Sequence, residues 1–276
     1  MSNSISNHFN KTDESFNPGM PEWYDLVLQV SDKEMSYSLF ERGRNKFIAI
    51  GIFRDSIDRI MEENPWLKGQ FNSIRILIEN NSATLIPSVF FDPREKEKYL
   101  SFTVDHDPSD RICADYLISL DLFSIYSLAS SLADKLNRYF PSGLIRHVST
   151  SLIGSIWGNY KNLIRENRVF INIRKDNFDM VVFGDKQLSY FNSFFFQTPE
   201  DLAYYVIFVF EQLGLNPEEA ETILLGKVEK TSPVYDLLYR YIRHIEMAVR
   251  NEAYTYSYVF RDIPGNSFYT LLNPVI

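Results

Sequence analysis

The sequence predicts an α/β fold built from two related halves, and three observations support this prediction. Strand-like runs, turns and helix signals follow the order βββαβα near the N-terminus and again from about residue 169. The 276 residues suit two domains of ordinary size. Hydrophobic residues make up 45% of the chain, which is enough to fill two cores.

The second half, residues 168–276, has the clearer pattern. β-Branched and aromatic runs separated by short polar turns predict a β-meander. Thr198 and Pro199 predict the start of a helix, because Thr caps the first turn and Pro tolerates the first helical position. Gly214 ends that helix, and Ser232-Pro233 starts another that runs to about Ile245. The predicted strands are 169–174, 178–184, 188–196 and 222–226.

The first half, residues 23–167, repeats this order with an interruption. Residues 80–110 hold a short apolar run and a charged segment, and we interpret them as a small inserted subdomain. A long amphipathic helix over 122–140 and a linking helix over 149–165 complete the half. Residues 1–22 are expected to form a flexible tail, because they offer little to bury. The predicted strands are 25–31, 34–40, 46–53, 73–79, 112–119 and 144–148, with a helix at 55–63.

Composition excludes several classes of function. The formal net charge of −8 opposes binding to nucleic acid, whose phosphates attract basic clusters. No apolar run reaches the roughly 18 residues of a membrane helix, and residues 1–20 do not resemble a signal peptide. The single cysteine, Cys113, excludes an internal disulfide and indicates a reducing compartment, so we expect a cytoplasmic protein. We predict no metal site, because Asp105-His106-Asp107 cannot all face one ion in an extended strand.

The turns after the first strand of each half carry the residues that bear on function. Residues 172–179 read Asn-Ile-Arg-Lys-Asp-Asn-Phe-Asp, and residues 29–33 read Gln-Val-Ser-Asp-Lys. From about Trp23 onward, the order of elements and the matching hairpins resemble the actin-like ATPase (ribonuclease H-like) fold of actin, Hsp70, sugar kinases and pilus-assembly ATPases. Within that fold, the sequence is most similar to an uncharacterised Bacteroidetes family, a domain of unknown function.

The resemblance implies a nucleotide site between the two halves. Active relatives place an Asp-x-Gly-Gly/Thr turn in each first hairpin, where backbone amides approach phosphate and the Asp organises magnesium. Here Gln29 and Asn172 take the acidic positions, and Arg174 takes a glycine position. A glycine pair beside the adenosine is reduced to Gly226-Lys227. The implied cleft residues are Gln29, Ser31, Lys33, Asn172, Arg174, Lys175, Asp179, Gly226 and Lys227.

These substitutions leave three classes of function open. The first is a noncatalytic protein-interaction or scaffold protein, which needs no cofactor and has no catalytic residues. The second is an ATPase with an atypical phosphate site, in which Arg174, Lys175 or Lys227 meets phosphate and Asp32, Asp176 or Asp179 holds magnesium. The third binds nucleotide without turnover. The missing Asp and Gly residues favour the first class, with ATP and magnesium belonging to the alternatives.

Aromatic residues point to a protein partner whose identity the sequence does not give. Tyr254, Tyr256 and Tyr258 alternate with small polar residues, which places their rings on one face of a strand. Tyrosine is favoured at protein interfaces because it combines contact area with a hydroxyl group. The row is therefore either a partner-binding edge or a segment packed against the second half.

Overall fold

The computed structural model describes residues 9–32, 34–164 and 166–273, which divide into two compact units. Unit 1 contains the residues up to Leu152, Glu252–Asp262 and the residues from Thr270; unit 2 contains Ile153–Asn251 and Ile263–Tyr269. The strands are β1 (Phe9–Thr12), β2 (Tyr24–Val30), β3 (Met35–Glu41), β4 (Lys46–Phe53), β5 (Ser73–Ile78), β6 (Ala83–Pro87), β7 (Arg111–Leu117), β8 (Leu122–Leu128), β9 (Leu144–His147), β10 (Arg168–Ile173), β11 (Asn177–Gly184), β12 (Gln187–Phe195), β13 (Glu221–Gly226), β14 (Ile245–Met247) and β15 (Thr255–Tyr256). The helices are α1 (Ile57–Glu63), α2 (Lys96–Ser101), α3 (Ser130–Tyr139), α4 (Val148–Tyr160), α5 (Pro199–Gln212), α6 (Pro233–Tyr241) and α7 (Tyr269–Leu272).

The main sheet of unit 1 has the order β1-β4-β3-β2-β5-β9. Strands β2, β3 and β4 are antiparallel, whereas β5 and β9 run parallel to β2. Buried side chains from these strands, including Leu26, Leu39 and Ile76, form one hydrophobic core with residues of α1 and α3. Burial of such a core is the main stabilising contribution to the unit.

Unit 2 repeats this topology in the order β12-β11-β10-β13-β14. Three antiparallel strands are again followed by two parallel ones. Its core combines the sheet with buried residues of α5 and α6, such as Val206 and Leu238. The duplicated α/β architecture is therefore confirmed. The last predicted helix was too long, since α6 ends at Tyr241 and Ile245 begins the short strand β14.

The inserted subdomain is larger than predicted. Strands β6, β8 and β7 form a separate sheet in that order, so the insertion extends to Leu128. The prediction of one helix over 122–140 is wrong for its first part, where β8 forms the centre of this sheet. Ser124 to Leu128 are all buried, and a run buried on both faces lacks the alternation that distinguishes a strand from a helix.

Two terminal segments join unit 1. The prediction of a flexible tail is wrong for Phe9–Thr12, because β1 pairs with β4 along Ala49–Ile52; residues 1–8 lie outside the described residues. Strand β15 pairs with Lys46 and Phe47 of the same strand. The prediction that all residues after 167 belong to the second half is therefore corrected, since Glu252–Asp262 belongs to unit 1.

The tyrosine row belongs to this unit as well. The rings of Tyr254 and Tyr256 lie 5.4 and 5.5 Å from that of Phe47 on β4, centroid to centroid. Two of the three tyrosines therefore pack on strand β4 of unit 1. Tyr258 differs from the other two, because 56% of its surface is exposed.

Candidate functional site

A buried ion pair joins the turn between β10 and β11 to strand β11. Nη2 of Arg174 donates to Oδ1 of Asp179 over 2.6 Å, and the two residues are only 7% and 1% exposed. Ionised partners strengthen a hydrogen bond, and the planar guanidinium suits a carboxylate. Arg174 therefore meets a carboxylate of its own chain at the position where the resemblance implied a phosphate-binding glycine.

Asp179 has further partners within unit 2. Its Oδ2 accepts a hydrogen bond from Nδ2 of Asn172 over 3.0 Å, and its Oδ1 accepts a second one from Oγ of Ser193 over 2.6 Å. Both carboxylate oxygens are thus engaged by protein donors. A magnesium site needs oxygen atoms that face the ion or its water shell, and this carboxylate faces the protein interior instead.

Gly226 ends β13 beside the same turn. Its φ is +84°, and a Cβ added there would lie 2.1 Å from the carbonyl oxygen of Ile173, so only glycine fits. The amide of Gly226 donates to the carbonyl of Asn266 over 2.8 Å, and the amide of Lys227 donates to that of Ile173 over 2.7 Å. The side chain of Asn266 donates to the carbonyls of Gly226 and Val228, over 2.9 Å in each case.

These contacts occupy the backbone amides that would approach a ligand at this position. Asn266 is only 2% exposed, so the chain covers Gly226 with its own residues. Of the predicted residues of the second half, Asn172, Arg174 and Asp179 interact directly, and Gly226-Lys227 adjoins them through Ile173. Lys175 lies in the exposed part of the turn, and Lys227 is exposed as well.

The corresponding turn of unit 1 is also engaged internally. Nε2 of Gln29 donates to Oε2 of Glu79 over 2.6 Å, and Oε1 of Gln29 accepts from Oγ1 of Thr270 over 2.6 Å. Ser31 interacts with the backbone of Glu34 across the turn. Lys33 lies outside the described residues. Both polar atoms of the Gln29 side chain therefore have protein partners.

Unit 1 contains a buried polar cluster that sequence reasoning missed. Oδ2 of Asp115 accepts hydrogen bonds from the amide of His147 and from Oγ1 of Thr150, each over 2.8 Å. Nδ1 of His147 lies 2.6 Å from Oγ of Ser149. Burial raises the pKa of Asp115, although these hydrogen bonds oppose the shift. His147 and Ser149 are 2% and 1% exposed, so this Ser-His contact is sealed from substrates.

Two other predicted features have plain environments. Cys113 is half-buried on β7, and burial raises the pKa of its thiol, which disfavours the reactive thiolate. Among the described residues, no group of three or more His, Cys, Asp and Glu side chains could hold a metal ion. The helices in that part of the chain include none that is long and apolar enough to cross a membrane.

An apolar groove of about 460 Å³ lies between α5 and α6 of unit 2. Sequence reasoning identified both helices but not the groove, because its lining depends on how the helices pack. Tyr204, Phe208 and Tyr241 line it and are 64%, 44% and 53% exposed. Glu200 and Glu211 are the charged residues of its lining.

Comparison with known proteins assigns the family. A family described as "Protein of unknown function (DUF3822)" matches residues 13–245. The chain belongs to this family. The predicted resemblance to a family of unknown function is thereby confirmed. The comparison of this DUF3822 protein with curated proteins finds no match.

Solved structures establish the fold of this DUF3822 protein. A protein "with actin-like ATPase fold and unknown function" from Bacteroides thetaiotaomicron VPI-5482 superimposes with a TM-score of 0.76 and 21% identity, covering 84% of this chain and 93% of that chain. A "PilM-PilN type IV pilus biogenesis complex" superimposes with a TM-score of 0.64 and 10% identity, covering 92% and 98%. At such identities the likeness shows the fold alone, which is the actin-like ATPase fold.

Proposed function

We propose that this protein is a noncatalytic protein-interaction or scaffold protein that uses the actin-like ATPase fold without a working nucleotide site. One observation carries the proposal: Arg174 is paired with Asp179 inside the protein. A cation engaged in this way is not available to phosphate, and a carboxylate with protein donors on both oxygens is not available to magnesium.

Two further features support a protein as the ligand. Exposed aromatic side chains gather around one groove of unit 2, and aromatic residues are enriched at the centres of protein interfaces. One structure of similar fold is described as a complex of two proteins, PilM and PilN. That description concerns the other protein, and it gives an example of this fold in a protein complex.

A thermal unfolding titration with ATP or ADP in the presence of magnesium tests the proposal. A ligand that binds only the folded state adds about 2.7 kcal/mol of stability at a hundredfold excess over its dissociation constant. We expect no saturable rise in the melting temperature at millimolar nucleotide. Lys175→Ala is the matched variant, because Lys175 is an exposed cation next to the buried Arg174.

The opposite result has a specific meaning. A saturable rise in the wild-type protein that disappears in Lys175→Ala would replace the proposal with a divergent nucleotide-binding protein or ATPase that has an atypical phosphate site. A rise that persists in Lys175→Ala would also refute the proposal, and it would show that nucleotide binding does not depend on Lys175.

A further inference from the structure

The groove between α5 and α6 has a regular pattern along α5. Glu200, Tyr204 and Glu211 lie on one stripe, because eleven residues complete about three turns of an α-helix. Phe208 lies beside the stripe, and its ring is stacked with that of Tyr204 at 6.3 Å between centroids. The two carboxylates are therefore about 16 Å apart along the helix axis, at about 1.5 Å per residue, with aromatic rings between them.

The apolar part of this surface is suited to contact with another molecule. Ala203, Ile207 and Leu237 line the groove between the exposed rings of Tyr204, Phe208 and Tyr241. An exposed apolar cavity with a polar rim is typical of an interaction site. A groove between two helices can accept the apolar face of a third helix, whose contacting side chains recur at i, i+3, i+4 and i+7.

The charged residues of the groove restrict which molecules can bind in it. Helix α5 contains Glu200, Asp201 and Glu211 but no Lys or Arg. Glu211 lies in the last turn, where the helix dipole makes a negative charge locally unfavourable. A cation supplied by a partner would offset this cost. The lining contains no Lys or Arg side chain that could do so.

We propose that this groove binds an amphipathic helix of a partner protein, with apolar side chains in the groove and a Lys or Arg near each end. The inference rests on the proposed function as an interaction protein and names the class of partner. The basic residues meet Glu200 and Glu211, and the helix between them spans about three turns. A second copy of α5 laid along the groove would bring carboxylates against carboxylates in either direction, which is unfavourable.

A synthetic peptide provides the test. The probe is a fluorescent helical peptide of about four turns with Leu at i, i+3, i+4 and i+7 and Lys at both ends. A matched peptide carries Glu in place of Lys. Fluorescence anisotropy is measured with the wild-type protein, with Phe208→Gln, with the double variant Glu200→Lys and Glu211→Lys, and with Tyr258→Ser. Tyr258 is exposed to a similar extent but belongs to unit 1, so it is the control.

The wild-type protein is expected to bind the Lys peptide at least about tenfold more tightly than the Glu peptide. The double charge reversal inverts that preference, Phe208→Gln weakens binding of the Lys peptide about tenfold, and Tyr258→Ser changes neither affinity. Equal binding of both peptides, or unchanged binding by Phe208→Gln, overturns the inference. A wild-type dimer in sedimentation velocity that dissociates in Phe208→Gln also overturns it, in favour of a second copy.

Failure of this inference and failure of the proposed function are distinguishable. If the protein shows no preference between the two peptides and does not bind nucleotide, only the inference about the groove is wrong. If thermal unfolding of the same samples shows nucleotide binding, the proposed noncatalytic function is wrong. The peptide measurements then decide the inference about the groove separately.

Discussion

Arg174 and Asp179 stabilise the second unit only as a pair. Removing two charges from water costs several kcal/mol per ion, and their mutual attraction offsets this cost only when further hydrogen bonds are present. Asp179 has such bonds from Asn172 and Ser193. These residues therefore form a structural polar network at the turn where the resemblance implied a phosphate site.

Replacing Arg174 tests this role. Arg174→Ala leaves Asp179 as a buried carboxylate without its cation, so we expect the free energy of unfolding to fall by about 3–5 kcal/mol. Lys175→Ala removes a neighbouring exposed cation and should change it by no more than about 0.5 kcal/mol. Urea unfolding followed by circular dichroism measures both values. Equal effects of the two substitutions would contradict a structural role for Arg174.

Gly226 provides a second test at the scale of one residue. Gly226→Ala places an alanine at a positive φ and pushes its Cβ against the carbonyl of Ile173. We therefore expect the free energy of unfolding to fall by about 1–3 kcal/mol. Gly158 is the matched control, because it lies exposed in α4 with no atom within 4 Å of an added Cβ. Gly158→Ala should raise stability by up to about 1 kcal/mol. Thermal unfolding of both variants measures these changes in stability. Stabilisation by Gly226→Ala or destabilisation by Gly158→Ala would contradict the prediction.

At the scale of elements, one carboxylate connects three segments of unit 1. Asp13 follows β1 and is 6% exposed. It accepts hydrogen bonds from Ser257, after β15, and from Lys46 of β4, the latter over 3.0 Å. Burial by itself raises the pKa of Asp13, but the hydrogen bonds from Ser257, Ser15 and Lys46 outweigh it and hold the pKa well below its usual range.

This lowered pKa predicts a pH dependence of stability. The folded state binds the proton of Asp13 less readily than the unfolded state, so the stabilisation is present above the unfolded-state pKa of about 3.9. It is lost as the pH falls below about 4 toward the folded-state pKa. Asp13→Asn should therefore destabilise the protein more at pH 7 than at pH 2.5. Urea unfolding across this range, with the exposed Asp176→Asn as control, measures the difference; a constant effect of Asp13→Asn would contradict the prediction.

The elements also show what local sequence can predict. Helix α5 begins where Thr198 and Pro199 indicated, with a complete capping box between Thr198 and Asp201. Strand β8 lies where the sequence pattern predicts a helix, because its continuous burial lacks the alternation of a half-buried strand. Its pairing with β6 and β7 is not a local feature. Caps and hairpins are local interactions, whereas pairing inside an insertion depends on residues about 40 positions away.

At the scale of the whole molecule, the duplication was predictable because each half repeats the same local order. The residues that contact the candidate site were not predictable. Asn266 covers Gly226 from 40 residues further along the chain, and the groove lining joins α5 to α6. No local pattern indicates which of many Asn or Glu side chains will meet a given turn. The sequence thus identified the turns, and only the tertiary structure revealed that they are engaged internally.

The path of the chain leads to a last prediction, since residues 252–273 contribute to both units. Segment Glu252–Asp262 supplies β15 and Ser257 to unit 1, while Asn266 supplies hydrogen bonds to Gly226 and Val228 in unit 2. A chain truncated after Asn251 should therefore lose protection from hydrogen exchange in β4 and at the end of β13, because both segments lose backbone or side-chain partners.

Hydrogen exchange with mass spectrometry of the truncated and full chains measures this loss. Adding a peptide of residues 252–273 in excess should restore slow exchange in both segments, since the missing partners are then supplied in trans. The same peptide with Asn266→Ala is the matched control, because it keeps β15 and Ser257 but lacks the side chain that reaches Gly226 and Val228. It should protect β4 while leaving the end of β13 less protected. Unchanged exchange in β4 after truncation would mean that β15 contributes nothing to the stability of unit 1.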